Sequence, residues 1–197
     1  MTKIKGFVKN NFKKVHKNFE DNINKRGELG ASFCVYHQNE IVVDIWGGYK
    51  SPLKKDSWSR DTLVPVFSTS KAVGAACLAL LHSRGFFNYN DRVSDYWPEF
   101  AQNNKEKITI KELLQHRAGL SAIDHKLTPK IIRDYKKLDK LLARQEPKWK
   151  PGEYQGYHVW TIGWYMSALI SRIDPEGKRL GEFIKKEINQ SSKGDFY

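Results

Sequence analysis

The chain has 197 residues, of which 40% are hydrophobic and 13% aromatic, enough apolar material for a folded domain and too much for a wholly disordered chain. No apolar run approaches the roughly 20 residues of a membrane-spanning helix, and no apolar stretch follows the basic start as it would in a secretory signal. The net charge is +12, yet no basic-aromatic stripe or nucleic-acid motif accompanies it, so nucleic-acid binding is not expected.

The first predicted element is an amphipathic helix over residues 9–26, which ends near Gly27. Phe12, Val15 and Phe19 lie at helical spacing on its apolar face. About half of the net charge lies in the first 26 residues, where eight lysines and arginines outnumber two acidic residues. A solvated basic helix is the simplest interpretation, and contact of this helix with an anionic surface stays an alternative.

A β-hairpin is predicted next. Two apolar, β-branched runs, Ala31–Tyr36 and Ile41–Trp46, are separated by a polar tetrapeptide. The polar residues 50–61 are expected to form a loop. A single hairpin is marginally stable and needs more strands or a covering helix.

The chain has two cysteines, Cys34 and Cys77, and both lie in apolar runs. We therefore expect buried free thiols and, from them, a reducing location such as the cytoplasm. Two cysteines without histidines at ligand spacing give no zinc site, and no metal or cofactor is expected.

Helices dominate the remainder of the chain. The patterns predict an apolar helix over 70–83, a short helix from Thr109 to Gln115, a charged helix over 129–144 opened by Pro129, an apolar helix over 160–173 and an amphipathic helix over 180–188. The helix over 70–83 is apolar on almost every side, which places it in the protein interior. Thr109 and Glu112 form the sequence signature of a capping box. The two predicted strands are fewer than we expect, because a buried helix at 70–83 needs a sheet or several helices to cover it.

Ser68 and Lys71 are the first candidates for catalysis, because they lie at the start of the helix over 70–83. A serine hydroxyl needs a neighbouring base to act as a nucleophile. Residues three apart share a helix face, so the lysine amine can reach the serine oxygen. A helix N-terminus also stabilises the negative charge that develops during attack. The same spacing recurs at Ser51 and Lys54, but in a polar loop with no apolar helix behind it.

Tyr157 is the third candidate, since it lies between the breaker Pro151-Gly152 and an apolar helix. A tyrosine at such a junction can point into a cleft and serve as a phenolate acid or base beside a cation. Packing as an ordinary aromatic residue is the alternative. A Ser-His-Asp triad could use His116 or His158, but no serine lies in a G-x-S-x-G elbow, and a structural, hydrogen-bonding histidine is favoured at position 116. The aspartates considered for such a triad are Asp91, Asp95 and Asp124.

Four segments together resemble the serine β-lactamase-related family, which includes class C β-lactamases, penicillin-binding-protein-like esterases and D-peptidases. They are Pro65-Val-Phe-Ser-Thr-Ser-Lys71-Ala-Val, Asp91-Arg-Val-Ser-Asp-Tyr-Trp-Pro98, Ile108-Thr-Ile-Lys-Glu-Leu-Leu-Gln-His-Arg-Ala-Gly-Leu120 and Pro151-Gly-Glu-Tyr-Gln-Gly-Tyr157-His. Their order and spacing match, and Leu-Leu-x-His-x-x-Gly-Leu at 113–120 is especially specific. Two further segments near the start of the chain, Arg26-Gly-Glu-Leu-Gly-Ala31 and Val42-Val-Asp-Ile-Trp-Gly-Gly48, look like the esterase branch. The similarity covers nearly all of the chain.

The resemblance implies roles for three residues. Ser68 matches the serine that becomes acylated, Lys71 the general base, and Tyr157 the tyrosine of a Tyr-x-Asn element that assists proton transfer. The third position of that element is Val159 here. Because the family's asparagine contacts the amide side chain of β-lactam and peptide substrates, its replacement favours esters.

The resemblance also implies an incomplete α+β fold of the β-lactamase/transpeptidase type. Residues 1–62 are expected to hold the N-terminal helix and the hairpin of an antiparallel sheet, and residues 63–197 the catalytic helix and a helical lobe. Family members run to roughly twice this length, and Gly194-Asp-Phe-Tyr197 looks like a point midway through them. The family's third motif, an x-x-Gly strand that supplies the second oxyanion N–H, is expected to be missing together with the C-terminal strands.

Three functional hypotheses follow. The first is a serine hydrolase that acts on a small carboxylic ester or amide through an acyl-enzyme on Ser68, weak or inactive as this chain alone, with D-peptidase or β-lactam hydrolysis as variants. The second is a non-catalytic binding or assembly module of the same fold. The third is an electrostatic binder that uses the basic N-terminal helix.

Overall fold

A computed structural model describes residues 1–192 and 196. It divides the chain into two compact units, Met1–Pro65 and Val66–Tyr197. The division expected between residues 62 and 63 stays a prediction. The interpretation of residues 194–197 as a midpoint of the family sequence lies largely outside the described residues.

The first unit contains a three-stranded antiparallel sheet with strand order β1-β3-β2. In chain order its elements are β1 (Lys5–Val8), a 3-10 turn (Asn10–Phe12), α1 (Lys13–Lys25), β2 (Gly30–His37) and β3 (Glu40–Gly48). The predicted helix and hairpin are confirmed. Strand β1 was not predicted.

Helix α1 covers one face of this sheet. Phe19 from α1 packs with Val43 and Ile45 of β3 in the core of the unit. Val43 lies opposite Val35 of β2, so these side chains share the covered face. Cys34 points to the other face and is exposed, so the predicted burial of its thiol is wrong. The run around Cys34 is apolar, but alternation along a strand sends neighbouring side chains to opposite faces.

The second unit is helical. Its α-helices are α2 (Ser70–Ser83), α3 (Val93–Tyr96), α4 (Ile110–Leu114), α5 (Pro129–Arg133), α6 (Tyr135–Arg144), α7 (Thr161–Ile173), α8 (Leu180–Phe183) and α9 (Gln190–Ser192), with 3-10 turns at Phe67–Thr69 and Pro98–Ala101 and a π-helical segment at Ile184–Asn189. Among the described residues, no helix combines the length and the apolar character that crossing a bilayer requires.

Helices α2 and α7 form the centre of the second core. Cys77, Leu78 and Leu81 of α2 are fully buried in the cluster that also holds Tyr165 and Leu169 of α7. The opposite side of α2 is exposed along its small residues, which are Ala72, Ala75, Ala76 and Ala79. The predicted burial of this helix on every side is therefore wrong. Its principal contacts within the described residues come from α7, α8 and the π-helical segment.

The predicted helix over 129–144 is two helices. Asp134 leaves the helical conformation, with φ −93° and ψ 90°, and its side chain accepts a hydrogen bond from the Lys137 N–H at 3.1 Å. It thereby caps α6, which is the role that a short acidic side chain plays best at a helix start.

The capping box predicted at Thr109 and Glu112 is confirmed at the start of α4. Thr109 Oγ1 accepts a hydrogen bond from the Glu112 N–H, and Glu112 Oε2 accepts one from the Thr109 N–H.

Candidate active site

Ser68 lies in the 3-10 turn that continues directly into α2. The residue before it, Phe67, has a φ of +46°, a left-handed conformation that a bulky side chain rarely adopts. Backbone strain of this kind persists where a surrounding structure enforces it and clusters at functional sites. Ser68 is exposed at the positive end of α2, where developing negative charge is stabilised.

Lys71 lies one helical turn after Ser68. Its Nζ donates a hydrogen bond to Ser68 Oγ at 3.1 Å. The Lys71 side chain is half-buried, and its Nζ lies 4.9 Å from the centroid of the Tyr157 ring. The cation is thus placed between the serine hydroxyl and the aromatic ring.

The Tyr157 hydroxyl completes the cluster. Hydrogen bonding by Ser68, and to a smaller extent by Lys71, holds the pKa of Tyr157 below its usual value of 10.0. Such an environment favours the phenolate, the form that can accept a proton. The structure therefore brings Ser68, Lys71 and Tyr157 together, although Tyr157 lies far away in the sequence.

The second copy of the same spacing has a different geometry. Ser51 and Lys54 lie in the loop after β3, where the Lys54 N–H donates to the Ser51 carbonyl at 3.0 Å in a turn. The ammonium of Lys54 lies 6.0 Å from the centroid of the Tyr49 ring. Only the copy at the start of α2 has its lysine directed at the serine hydroxyl.

The turn that follows α4 anchors the loop that carries Tyr157. The Gly156 N–H donates to the His116 carbonyl at 3.0 Å, and the Gly152 N–H donates to the Arg117 carbonyl at 3.0 Å. The side chain of Arg117 donates in return to the Gly152 carbonyl. This docking gives a physical role to the Leu-Leu-x-His-x-x-Gly-Leu segment, because its turn holds the tyrosine in place.

Gly156 is required at this junction by the close approach of Trp149. A Cβ atom on Gly156 would lie only 2.3 Å from Cη2 of the Trp149 ring. The indole N–H of Trp149 donates to the Tyr154 carbonyl at 3.0 Å, which fixes the ring beneath the loop. Any side chain at position 156 would displace Tyr157 from its position.

Two histidines support the tyrosine from the side. His158 is fully buried, and its Nε2 accepts a hydrogen bond from the Leu120 N–H at 2.8 Å. The ring proton of His158 is therefore assigned to Nδ1, which donates to His116 Nδ1 at 3.0 Å. His116 Nδ1 also accepts from the His158 backbone N–H at 3.0 Å. The His116 ring lies edge-on to the Tyr157 ring with centroids 5.0 Å apart.

Both imidazoles are held neutral. Burial, and then the neighbouring His116, lower the pKa of His158 to about 4. Burial, and then the Lys71 cation, lower the pKa of His116 below 6.5. The prediction that His116 is a hydrogen-bonding histidine is confirmed by its geometry, whereas its pairing with His158 was not predicted.

Within the described residues, no serine, histidine and aspartate side chains are hydrogen-bonded in series as a Ser-His-Asp triad requires. The histidines bond to each other, and the three aspartates considered for a triad bond elsewhere: Asp91 accepts from Tyr96, Asp95 pairs with Arg92, and Asp124 pairs with Lys148. Within the same part of the chain, no three side chains of His, Cys, Asp or Glu come together as a metal-binding group.

Comparison with known proteins finds relatives described as esterases and β-lactamases. A family model described as Beta-lactamase matches residues 15–192. The esterase/beta-lactamase LipL of Mycobacterium tuberculosis is 32% identical over 151 residues, which cover 77% of this chain and 35% of LipL.

Solved structures share the fold. A family VIII carboxylesterase superposes with a TM-score of 0.89 at 35% identity, covering 94% of this chain and 50% of the esterase. A penicillin-binding protein homologue from Caulobacter crescentus gives a TM-score of 0.89 at 34% identity, covering 96% of this chain and 50% of the homologue. These likenesses confirm the predicted α+β fold of the β-lactamase/transpeptidase type, and the chain spans only a third to a half of each relative.

Proposed function

The chain belongs to the beta-lactamase family, and on that premise we propose that it is the nucleophile-bearing part of a serine hydrolase that acts on carboxylic esters. The observation that carries this proposal is the hydrogen bond from Lys71 Nζ to Ser68 Oγ at 3.1 Å, with the centroid of the Tyr157 ring 4.9 Å from the same Nζ. This is the arrangement of nucleophile and adjacent base that covalent catalysis requires.

The proposed reaction has two steps. First, Lys71 passes one proton to Tyr157, and the neutral amine then takes the proton from Ser68 Oγ while this oxygen attacks the ester carbonyl carbon. The tetrahedral oxyanion forms at the positive end of α2, and its collapse breaks the ester C–O bond as the pair returns the proton to the leaving alcohol. Second, water attacks the acyl-serine, gives its proton to the same pair and releases the carboxylic acid, which restores the Ser68 hydroxyl.

An ester is favoured over a β-lactam or a peptide by the side chain of Val159. This exposed residue lies near Ser68 and presents only methyl groups where the family pattern has an asparagine. An aliphatic side chain cannot hydrogen-bond an amide substituent. Hydrolysis of β-lactams or D-peptides, and a non-catalytic binding role, remain the alternative proposals.

A labelling experiment tests the assignment of the nucleophile. An activated serine reacts with a fluorophosphonate, so we expect mass spectrometry to find one adduct, on Ser68. Ser68→Ala should abolish the adduct. Ser51→Ala should leave it intact, because Ser51 has the same spacing to a lysine but no lysine amine directed at its hydroxyl.

The same experiment separates the enzyme from the binding module. A module without catalysis has no reason to keep an activated hydroxyl, and it would give no adduct above that of a denatured sample. An adduct that survives Ser68→Ala would refute the proposed role of this residue. Ester turnover by a protein containing the complete fold, lost on Ser68→Ala, would exclude the non-catalytic alternative.

A further inference from the structure

A cavity of about 230 Å³ opens beside Ser68 within the second unit. Its polar lining residues are Ser68, Ser70 and Lys71. The rest of the wall is almost wholly apolar and includes Phe67, Val159, Trp160, Gly163, Met166 and Leu180. A concave apolar surface with a few polar groups at one end is typical of a site for a small ligand with an apolar part.

The position of Tyr157 indicates which part of an ester would enter this cavity. In the proposed reaction, Tyr157 is the member of the pair that gives a proton to the leaving alcohol, so the alcohol must lie on the Tyr157 side of the carbonyl carbon. Tyr157 is not among the residues that line the cavity. The acyl chain, on the other side of the same carbon, is therefore the group that meets the apolar wall.

Gly163 has no conformational or packing reason to be a glycine. It lies within α7, where glycine weakens a helix, and its φ is not positive. A Cβ atom at this position would meet no heavy atom within 4 Å. At Gly74, by contrast, the Met166 methyl would lie 2.7 Å from such an atom, so that glycine is required by packing. What Gly163 provides is the open volume of the cavity.

We propose that this cavity is the acyl-binding pocket and that Gly163 sets the length of the acyl chain it accepts. The inference rests on the proposed ester hydrolysis. A dry cavity of about 150 Å³ can hold benzene, so about 230 Å³ accommodates a straight aliphatic chain of about six carbons. The exposed side chains of Phe67 and Trp160 extend the apolar surface at the rim.

The first experiment measures binding without chemistry. Ser68→Ala keeps the cavity but cannot be acylated, and NMR titration compares its affinity for methyl hexanoate and for methyl acetate. Each buried methylene should tighten binding by about fourfold, so hexanoate, with four more methylenes than acetate, should bind on the order of 10²-fold more tightly. Adding Gly163→Leu should remove most of this preference, because the new side chain occupies the cavity.

Gly181→Leu is the matched control. Gly181 also lies in a helix with no heavy atom within 4 Å of a Cβ position, but it does not line the cavity. The preference for hexanoate should survive this change. Gly163→Ala adds only a methyl group, should strengthen α7, and should lower the preference by a few-fold, so it decides the question if the leucine variant fails to fold.

The second experiment measures the rate at which hexyl and methyl fluorophosphonates label Ser68. Gly163→Leu should slow the hexyl reagent at least tenfold and leave the methyl reagent unchanged. A hexanoate preference that is equal in the parent and in both Gly163 variants would overturn the inference, even if Ser68 is labelled. If Ser68 resists every reagent while Gly163→Leu still abolishes hexanoate binding, the apolar pocket stands and the proposed ester chemistry fails.

Discussion

At His158, burial and hydrogen bonding fix the imidazole in one neutral tautomer. Its Nε2 is occupied by the Leu120 N–H and its Nδ1 proton by His116. A proton on Nε2 would break the first of these bonds and place a charge in the interior. The neutral state of this residue is therefore a condition for the position of the loop that carries Tyr157.

We expect acid to loosen this loop. The unfolded chain takes up a proton on His158 near pH 6.5, but the folded chain does so only near pH 4, so the unfolded state holds more protons between these values. The free energy of unfolding should therefore fall, by up to about 3 kcal/mol, as the pH drops through this window. Amide hydrogen exchange at Leu120, measured at pH 7, 6 and 5, should show the loss of protection locally once corrected for the intrinsic rate.

Two variants control this prediction. His158→Gln keeps polar atoms in the ring's place but cannot titrate, so its corrected exchange rate at Leu120 should be nearly independent of pH. His125→Gln, at an exposed position outside the pair, should behave like the parent chain. Equal pH dependence in the parent and in His158→Gln would show that another group controls the loop.

The residues of the candidate site differ in how far the sequence could predict them. Ser68 and Lys71 lie three residues apart on one helix, so local geometry alone places them together. The approach of Tyr157 depends on tertiary structure: its position before an apolar helix made it a candidate, and the family resemblance assigned it to the site of Ser68 and Lys71. The hydrogen bond between His116 and His158 joins residues 42 positions apart, and no local pattern indicates it beyond the position of both histidines in family segments.

At the scale of elements, Asp139 joins three parts of the helical unit. It lies on α6 with its side chain buried, pairs with Arg172 of α7 at 3.0 Å, and accepts two hydrogen bonds from Arg179 just before α8. Arg172 stacks over Trp97, with its guanidinium carbon 4.3 Å from the ring centroid. One carboxylate therefore balances two cations where these helices meet.

Removing that carboxylate should destabilise the helical unit. Asp139→Ala leaves Arg172 and Arg179 partly buried without a counter-charge, and loss of one partner from a buried pair typically costs 3–5 kcal/mol. Because both arginines keep some solvent contact, we expect a decrease of about 3 kcal/mol in the free energy of unfolding, measured by urea denaturation. Glu176→Gln removes an exposed carboxylate that pairs with Lys186 and Lys178 in the same region, and it should change this free energy much less, because pairs of an exposed carboxylate contribute little. A cost for Asp139→Ala no larger than that of Glu176→Gln would contradict this account.

Elements with local signals were predicted, and elements made by tertiary contacts were not. The capping box at Thr109 and the apolar periodicity of α7 are local, and both were found where the sequence placed them. Strand β1 is four residues long, too short for a pattern, and it exists through its pairing with β3. The break at Asp134 had a local signal, an acidic residue followed by a helical pattern, but the apolar spacing on both sides concealed it.

The chain carries the proposed nucleophile and spans half of the length of the solved relatives. Acyl transfer needs donors aimed at the oxyanion, and under the proposed function the first of them is at the start of α2, beside Ser68. The family resemblance assigns the second donor to a strand beyond the segments found in this chain. Formation of a Ser68 adduct and efficient turnover should therefore separate in these 197 residues taken alone.

We expect the 197-residue chain to hydrolyse p-nitrophenyl acetate with a kcat/KM about 10²–10³-fold below that of a complete relative such as the family VIII carboxylesterase. This is the usual effect of losing one oxyanion donor. Initial rates with Ser68→Ala define the background, and the residual activity should fall to it. A rate equal to that of the complete relative, and lost with Ser68→Ala, would place the second donor within the present chain. A rate that does not change with Ser68→Ala would show that the hydrolysis measured does not come from this site.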